Sequence, residues 1–338
     1  MDFRSDNTGS AAPEILAALA AANDGQASAY GEDPWSRKLN DAFGALFERD
    51  VKVFIVATGT AANAISLASV VPPWGAVLCH REAHIECDEC GAPEFYSGGA
   101  KLMLIDGPAA KVTPAGLNEA LARNARSVHS AKPSALSISQ ASERGAVYSP
   151  GEVAALGEIA RRAGLVFHMD GARLANALAA LGCTPAEVTW RGAVDLLSFG
   201  ATKNGALAAE AIVCFNPALA EEIARRRKRG GHLFSKGRYI AAQLLAYLDN
   251  DLWLKLAARA NDLARTLGEA AEPFLSVPVE TNQVFIRAGP EALARLRAAG
   301  AQFLDWGAEG SGEARLVVAW NQSEGDVEAM RKLLASLR

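Results

Sequence analysis

The stretch VDLLSFGATKN, Val194 to Asn204, decides how this chain folds. Its first half, Val194 to Phe199, is an apolar run of strand length, and Gly200 breaks it. Thr202 and Lys203 follow, so a lysine stands just past a buried strand. In open α/β sheets that is where ligands bind, outside the carboxyl ends of the strands. Upstream, the apolar run Leu165-Val166-Phe167-His168-Met169-Asp170 ends on an aspartate. Two such strands would deliver Asp170 and Lys203 to the same edge of a sheet. That pair suits pyridoxal phosphate, which needs an amine for its aldehyde and a carboxylate for its ring nitrogen.

Working outward, short apolar runs alternate with helical patterns. Strands are predicted at Lys52–Val56, Val77–Cys79, Lys101–Ile105, Ala135–Ser139, Leu165–Met169, Leu196–Phe199 and Ile212–Phe215. Helices are predicted at Pro13–Ala22, Arg37–Phe47, Ala61–Val70, Glu82–Gly91, Pro114–Asn124 and Pro150–Ala163. Such alternation implies βαβ units and a mostly parallel sheet. After about Lys236 the texture changes. Arg238–Arg265 reads as a long helix broken near Asp249-Asn250-Asp251. Strand-like pieces at Ser276–Val279, Val284–Arg287 and Arg315–Ala319, with helices at Pro290–Ala299 and Glu324–Leu337, make a smaller α+β region. The expected fold class is α/β. A large unit, residues 1–235, would carry an N-terminal arm and a mostly parallel seven-stranded sheet, and a small unit would span 236–338.

The chain has 338 residues, of which 50% are hydrophobic, enough for a large core. The net charge of −4 offers no basic footprint for nucleic acid. The run Arg225–Arg229 reads as a solvated helix end, balanced in part by Glu221 and Glu222. The opening MDFRSDNTGS lacks the apolar region of a signal peptide, and no apolar run is long enough to span a membrane. Five cysteines, an odd number, argue against a disulfide framework. A soluble cytoplasmic protein is expected.

Thr58-Gly59-Thr60-Ala61-Ala62-Asn63 joins a strand to a helix. Small residues there let the backbone approach an anion, and a helix start supplies amide donors. Asp170 would hold a pyridinium proton or, alternatively, cap a helix. Arg173, three positions on, could pair with it on a helical turn. Gly200 and Gly205 give the backbone latitude around Lys203. His84 could stack on a planar cofactor. His80, His84, Cys87 and Cys90 raise a zinc site, but the second ligand pair is missing, so no metal is expected.

Taken together, these residues make the sequence resemble the low-specificity L-threonine aldolases, fold-type-I pyridoxal-phosphate lyases, and especially the branch that also cleaves phenylserine-like substrates. The landmarks are Arg4-Ser5-Asp6-Asn7, Tyr30-Gly31-Glu32-Asp33, Gly59-Thr60-Ala61-Ala62-Asn63, Ala83-His84, His168-Met169-Asp170-Gly171-Ala172-Arg173 and Phe199-Gly200-Ala201-Thr202-Lys203-Asn204-Gly205. The resemblance implies pyridoxal 5′-phosphate as cofactor and a β-hydroxy amino acid as substrate. It implies that Lys203 bonds the cofactor, that Asp170 pairs with its ring nitrogen and that His84 stacks on it. Gly59 and Thr60 would hold the phosphate. Ser5, Arg173 and Arg315 would bind the substrate carboxylate or the neighbouring cofactor oxygen. Lys228 and Lys236 would be basic groups at the site, partly across a subunit interface, with Lys236 binding the cofactor and Tyr30, also at the interface, binding the substrate, since this fold type needs at least a homodimer and its aldolases are usually homotetramers.

Two departures stand out. Many family members carry Glu-Asn-Thr-His where this chain has Gln140-Ala141-Ser142-Glu143, so a carboxylate replaces a candidate base. The lysine sits in -SFGATKN- rather than the more familiar -SKGL-. His84 and Glu143 are therefore the candidates for the base that takes the β-hydroxyl proton, with His84 preferred. Another fold-type-I activity, β-elimination or transamination, would use the same lysine and aspartate.

Overall fold

The computed structural model describes residues 1–123 and 127–337, so Asn124, the expected last residue of one helix, lies outside the described residues. The strands of the main sheet are β1 (Lys52–Val56), β2 (Gly75–His80), β3 (Lys101–Ile105), β4 (Lys132–Ser139), β5 (Val166–Gly171), β6 (Leu196–Gly200) and β7 (Glu210–Cys214). They form a seven-stranded sheet in the order β1-β7-β6-β5-β4-β2-β3. Strands β3, β2, β4, β5 and β6 pair in parallel, and β7 runs antiparallel to both β6 and β1. Strands β2, β6 and β7 are buried along their whole length, as runs of apolar residues covered on two faces must be. The expected α/β class, with its mostly parallel sheet, is the one observed.

Register brings the chemistry to one edge. Ser139 lies opposite Asp170 across β4–β5, and Asp170 opposite Ser198 across β5–β6. Gly200 lies opposite Glu210 across β6–β7, and Glu210 opposite Val56 across β7–β1. His168 ties three of these strands together. Its buried ring bonds Ser137 of β4 at 2.9 Å and Ser198 of β6 at 3.0 Å. Burial pushes its pKa down to about 4, so the clamp is neutral.

Behind β6, aromatic side chains fix the approach to Lys203. Phe199 meets Phe43 edge-on at 4.9 Å and Trp253 at 5.8 Å, while Phe47 meets Phe215 at 5.0 Å. Asn204, next to the lysine, donates to the Tyr247 hydroxyl at 2.7 Å and to the Trp253 carbonyl at 2.8 Å. Tyr247 and Trp253 come from the helices Arg238–Leu248 and Leu252–Ala271. The break between those helices falls where expected, with Asn250 and Asp251 at φ 51° and 54°.

A second sheet holds β8 (Gln283–Arg287), β9 (Leu304–Trp306) and β10 (Glu313–Val317), antiparallel in the order β8-β10-β9. Its core gathers Val284, Ile286, Leu316, Val318, Met330 and Leu334 with Phe3 from the N-terminal arm. The buried Ala241, Leu244 and Tyr247, which follow residue 236, pack instead in the core of the large sheet.

Two expected elements differ. Ser276–Val279 is not a strand: the Ser276 amide bonds the Phe285 carbonyl at 3.0 Å, then Pro278 removes a donor and Val279 turns onto Gly268. The third strand is Leu304–Trp306, too short and too polar to stand out. Glu82–Gly91 is not one helix. A single turn, His84–Cys87, gives way to positive φ at Cys90 and Gly91, and a new helix, Ala92–Ser97, begins. The basic run ends the helix Ala220–Arg229, where Glu221–Arg225 and Glu222–Arg226 pair one turn apart at 2.7 and 2.6 Å. Among the described residues no helix is long and apolar enough to cross a membrane.

Gly200 is a test of this packing. A Cβ there would stand 2.9 Å from the Ala172 Cα and 3.0 Å from the Ala172 carbonyl oxygen. Gly200→Ala is expected to destabilise by about 1–3 kcal/mol, the usual range for overpacking. It should also weaken cofactor retention, because β6 would be pushed away from the residues after Asp170. Urea unfolding and cofactor content after dialysis measure the two effects.

Candidate active site

A cavity of about 410 Å³ opens at the shared strand edge. It brings together Gly59, Thr60, His84, Glu143, Asp170, Arg173 and Lys203, all expected from the sequence. Ser5, Tyr30, Arg315, Lys228 and Lys236 are not among its lining residues.

Asp170 is the last residue but one of β5, and its carboxylate is buried. The Asn63 amide donates to Oδ2 at 2.8 Å and the Ala172 amide to Oδ1 at 3.0 Å. Burial alone would raise its pKa. The charge of His84, the two amides and Lys203 outweigh that and hold it below the usual carboxylate range. Asp170 therefore caps no helix: the next one starts at Leu174. Nor does it pair with Arg173. That guanidinium makes a bidentate pair with the buried Asp6, at 2.8 and 3.0 Å. Asn282 of the small unit holds the same carboxylate at 3.1 Å.

Lys203 sits in a tight turn, Thr202–Asn204, closed by Gly205 at φ 101°. The Thr202 hydroxyl accepts the Ala209 amide at 3.1 Å, which folds the turn back onto β7. Across the cavity, Thr58 caps the helix Gly59–Ala68 by accepting the Ala61 amide at 3.1 Å. The amides of Gly59 and Thr60 have no acceptor within the helix and lie at its positive end.

His84 belongs to a buried chain. Its Nδ1 lies 2.8 Å from Glu89 Oε1, and Asn63 donates to that same oxygen at 2.8 Å. The Glu89 bond raises the His84 pKa, and burial raises that of Glu89. Asn63 thus links the His84–Glu89 pair to Asp170. Glu143 Oε1 accepts the His84 backbone amide at 3.3 Å. His80, part of the zinc alternative, uses Nε2 toward the Gly107 carbonyl and Nδ1 as acceptor for the Glu82 amide.

Of the residues outside the lining, Ser5 caps a short turn through the Asn7 amide at 3.1 Å. Arg315 projects from β10 with its guanidinium 4.9 Å from the Trp306 ring, and its buried Nε has no protein partner. Burial and then the neighbouring Arg173 lower its pKa. Lys228 lies over the exposed Tyr30 ring at 5.2 Å, and the Tyr30 amide bonds the carbonyl of Ser235, just before Lys236. Four contributors escaped the sequence reading: Asn63 and Asp6, quoted only inside motifs, and Glu89 and Glu210, not singled out at all. A buried carboxylate leaves no periodic signal in a sequence.

The beta-eliminating lyase family matches residues 2–289. The low-specificity L-threonine aldolase of Pseudomonas aeruginosa is 43% identical, over 99% of this chain and 96% of that one. That of Escherichia coli K12 is 28% identical, over 88% and 87%. The chain belongs to the low-specificity L-threonine aldolase family. A solved threonine aldolase of Leishmania major superposes with a TM-score of 0.93 at 29% identity, over 99% of each chain. An aspartate aminotransferase of Thermus thermophilus, at 14% identity and TM-score 0.72, shares the fold.

The threonine-aldolase site fits pyridoxal phosphate on its own geometry. It offers an ionised buried carboxylate, a helix start facing the cavity and a lysine whose charge is felt at that carboxylate. Asp6→Asn, which strands the Arg173 charge in the interior, is expected to cost about 3–5 kcal/mol in urea unfolding. Asp6 is depressed in the folded state, so its contribution exists above the unfolded carboxylate pKa and fades as pH falls through the folded one. The gap between wild type and Asp6→Asn should accordingly close toward acid pH.

Proposed function

We propose that this chain cleaves L-threonine, L-allo-threonine and related β-hydroxy-α-amino acids, phenylserine among them, to glycine and an aldehyde. The observation that carries this reading is the meeting of Lys203 and Asp170 in one cavity, in a chain related to threonine aldolases over 99% of its length. Pyridoxal phosphate, when bound, supplies the aldehyde that takes up the substrate amine and the ring that withdraws electrons from the breaking bond.

The residues divide the work. Lys203 would hold the cofactor covalently, Asp170 would pair with its ring nitrogen, and the amides of Gly59 and Thr60 with the Thr60 hydroxyl would hold its phosphate. His84 would cover its face. Arg173 keeps one arm of its guanidinium beyond the Asp6 pair, and Arg315 has a buried unpartnered Nε. That free arm and that unpartnered Nε suit the substrate carboxylate, with Ser5 nearby in the arm. A carboxylate gripped there orients the Cα–Cβ bond for cleavage. His84 takes the β-hydroxyl proton; tied to Glu89 through Nδ1, it has Nε2 for that proton.

The assembly is a homodimer at least, and the homotetramer usual in the family suits the exposed Tyr30–Lys228–Lys236 patch as contact surface. A cytoplasmic location completes the reading, with a small unit that begins near residue 236 in the sequence and whose first helix packs on the large sheet.

The direct test is incubation of the holoenzyme with both threonine epimers. Equal amounts of glycine and acetaldehyde support the reading, whereas ammonia with a keto acid would overturn it. His84→Asn should lower kcat by about 10²–10⁴, with a milder loss in Glu143→Gln and cofactor kept in both. As a base His84 works when neutral, so kcat should rise with pH through its elevated pKa. Glu89→Gln removes the bond that raises that pKa, so the acid limb of the kcat profile should move to lower pH.

A further inference from the structure

Among the ionisable side chains lining the cavity, Glu210 has no task in the reading above. It opens β7, opposite Gly200 on one side and Val56 on the other. Its side chain is buried, with Oε1 accepting the Thr202 amide at 3.3 Å. Its Oε2 lies 3.2 Å from where a Cβ on Gly200 would stand and 3.8 Å from one on Gly59. The carboxyl group therefore sits between the first residue of the helix Gly59–Ala68 and the turn that carries Lys203. Gly59, Thr60, Lys203 and Glu210 line one cavity, so an anion held by the Gly59 and Thr60 amides would have this carboxyl group for a neighbour.

A carboxylate is an odd neighbour for a phosphate. Among the described residues, the charged or titratable groups that face Glu210 are Lys203 from the turn, Asp170 from β5 and the Tyr247 hydroxyl from the helix Arg238–Leu248. Lys203 is the only cation among them, and Asp170 also draws on its charge. A phosphate dianion added to two carboxylates would place like charges side by side in a desolvated site, and such sets give up a charge by binding a proton.

We propose that Glu210 is a ligand of the cofactor phosphate in its neutral acid form, its O–H donating to a phosphate oxygen, so that cofactor binding takes up one proton from solvent. Before any phosphate arrives, burial has already pushed the Glu210 carboxyl up to about 7, against the pull of Thr202 and Lys203. A neighbouring dianion raises it further. The carboxyl is then largely ionised in the empty site at mildly alkaline pH and protonated in the filled one. Affinity for the phosphate must fall as pH rises across that interval, because the complex holds the extra proton.

The inference rests on the pyridoxal-phosphate reading of the site, and the probes separate the two. The full chain, stripped of cofactor, is titrated with pyridoxine 5′-phosphate, whose alcohol cannot bond Lys203, and with pyridoxine, which lacks the phosphate. Wild type and Glu210→Gln are compared, so that titrations of the ligand and of other residues cancel. For the phosphate ester, the ratio of wild-type Kd to variant Kd is expected to climb, approaching about tenfold per pH unit between about pH 7 and 9. For pyridoxine the ratio should stay flat. A flat ratio with the ester, or an equal climb with both ligands, overturns the proposal. Failure of wild type to bind the ester at any pH overturns the cofactor reading along with it. If Glu210→Gln does not melt cooperatively, wild type alone decides. Binding heats at about pH 8, in buffers of unequal ionisation enthalpy, should show nearly one more proton taken up with the ester than with pyridoxine. Equal uptake with the two ligands overturns the proposal.

Discussion

A carboxylate that stays charged out of water must have its compensation built into the protein, because the desolvation of an ion costs several kcal/mol. Asp170 is that group. Its partners come from separate parts of the fold: Asn63 from a helix, Ala172 from the first position after its own strand, His84 from a short turn of helix and Lys203 from the turn after β6. None of these can move far without leaving the charge exposed to an apolar interior. The geometry a cofactor ring would meet is thus set before it binds, which is what preorganisation requires.

The same constraint explains details that otherwise look incidental. His168, a buried neutral ring between two serines, locks β4 and β6 onto β5 just before Asp170. The aromatic cluster under Phe199 and the two bonds from Asn204 do the equivalent for Lys203. Gly200 lets β6 pass close to Ala172. Each device sits within a few residues of one of the two groups that a pyridoxal-phosphate site needs.

Much of this was legible in the sequence because apolar runs of strand length are their own signal. Lys52–Val56 and Lys101–Ile105 are observed with the predicted bounds, and Asp170 and Lys203 fall at strand ends as expected. What stayed hidden depends on contacts between residues far apart in the chain. The Asp170–Arg173 pairing assumed a helical turn; Asp170 is still on a strand, and Arg173 turns to Asp6 instead. Nothing in the sequence sets Glu89 and Glu210 apart from the other acidic residues until the fold buries them. Ser276–Val279 had the composition of a strand, but pairing along the edge of β8 needs continuous donors, and Pro278 interrupts them. Leu304–Trp306 gains its place from β10 rather than from its own residues.

The arm has a consequence for the order of assembly. Phe3 lies between Gln302 and Val317, bonded to both through its backbone at 2.8 Å, and Asp6 holds Arg173 and Asn282. On a ribosome, Phe3 must wait until Gln302 and Val317 have been made before it finds its place. Until then the arm that carries Asp6 beside Arg173, a residue of the cavity wall, lacks those anchors. Completion of the site is thereby tied to synthesis of the second sheet.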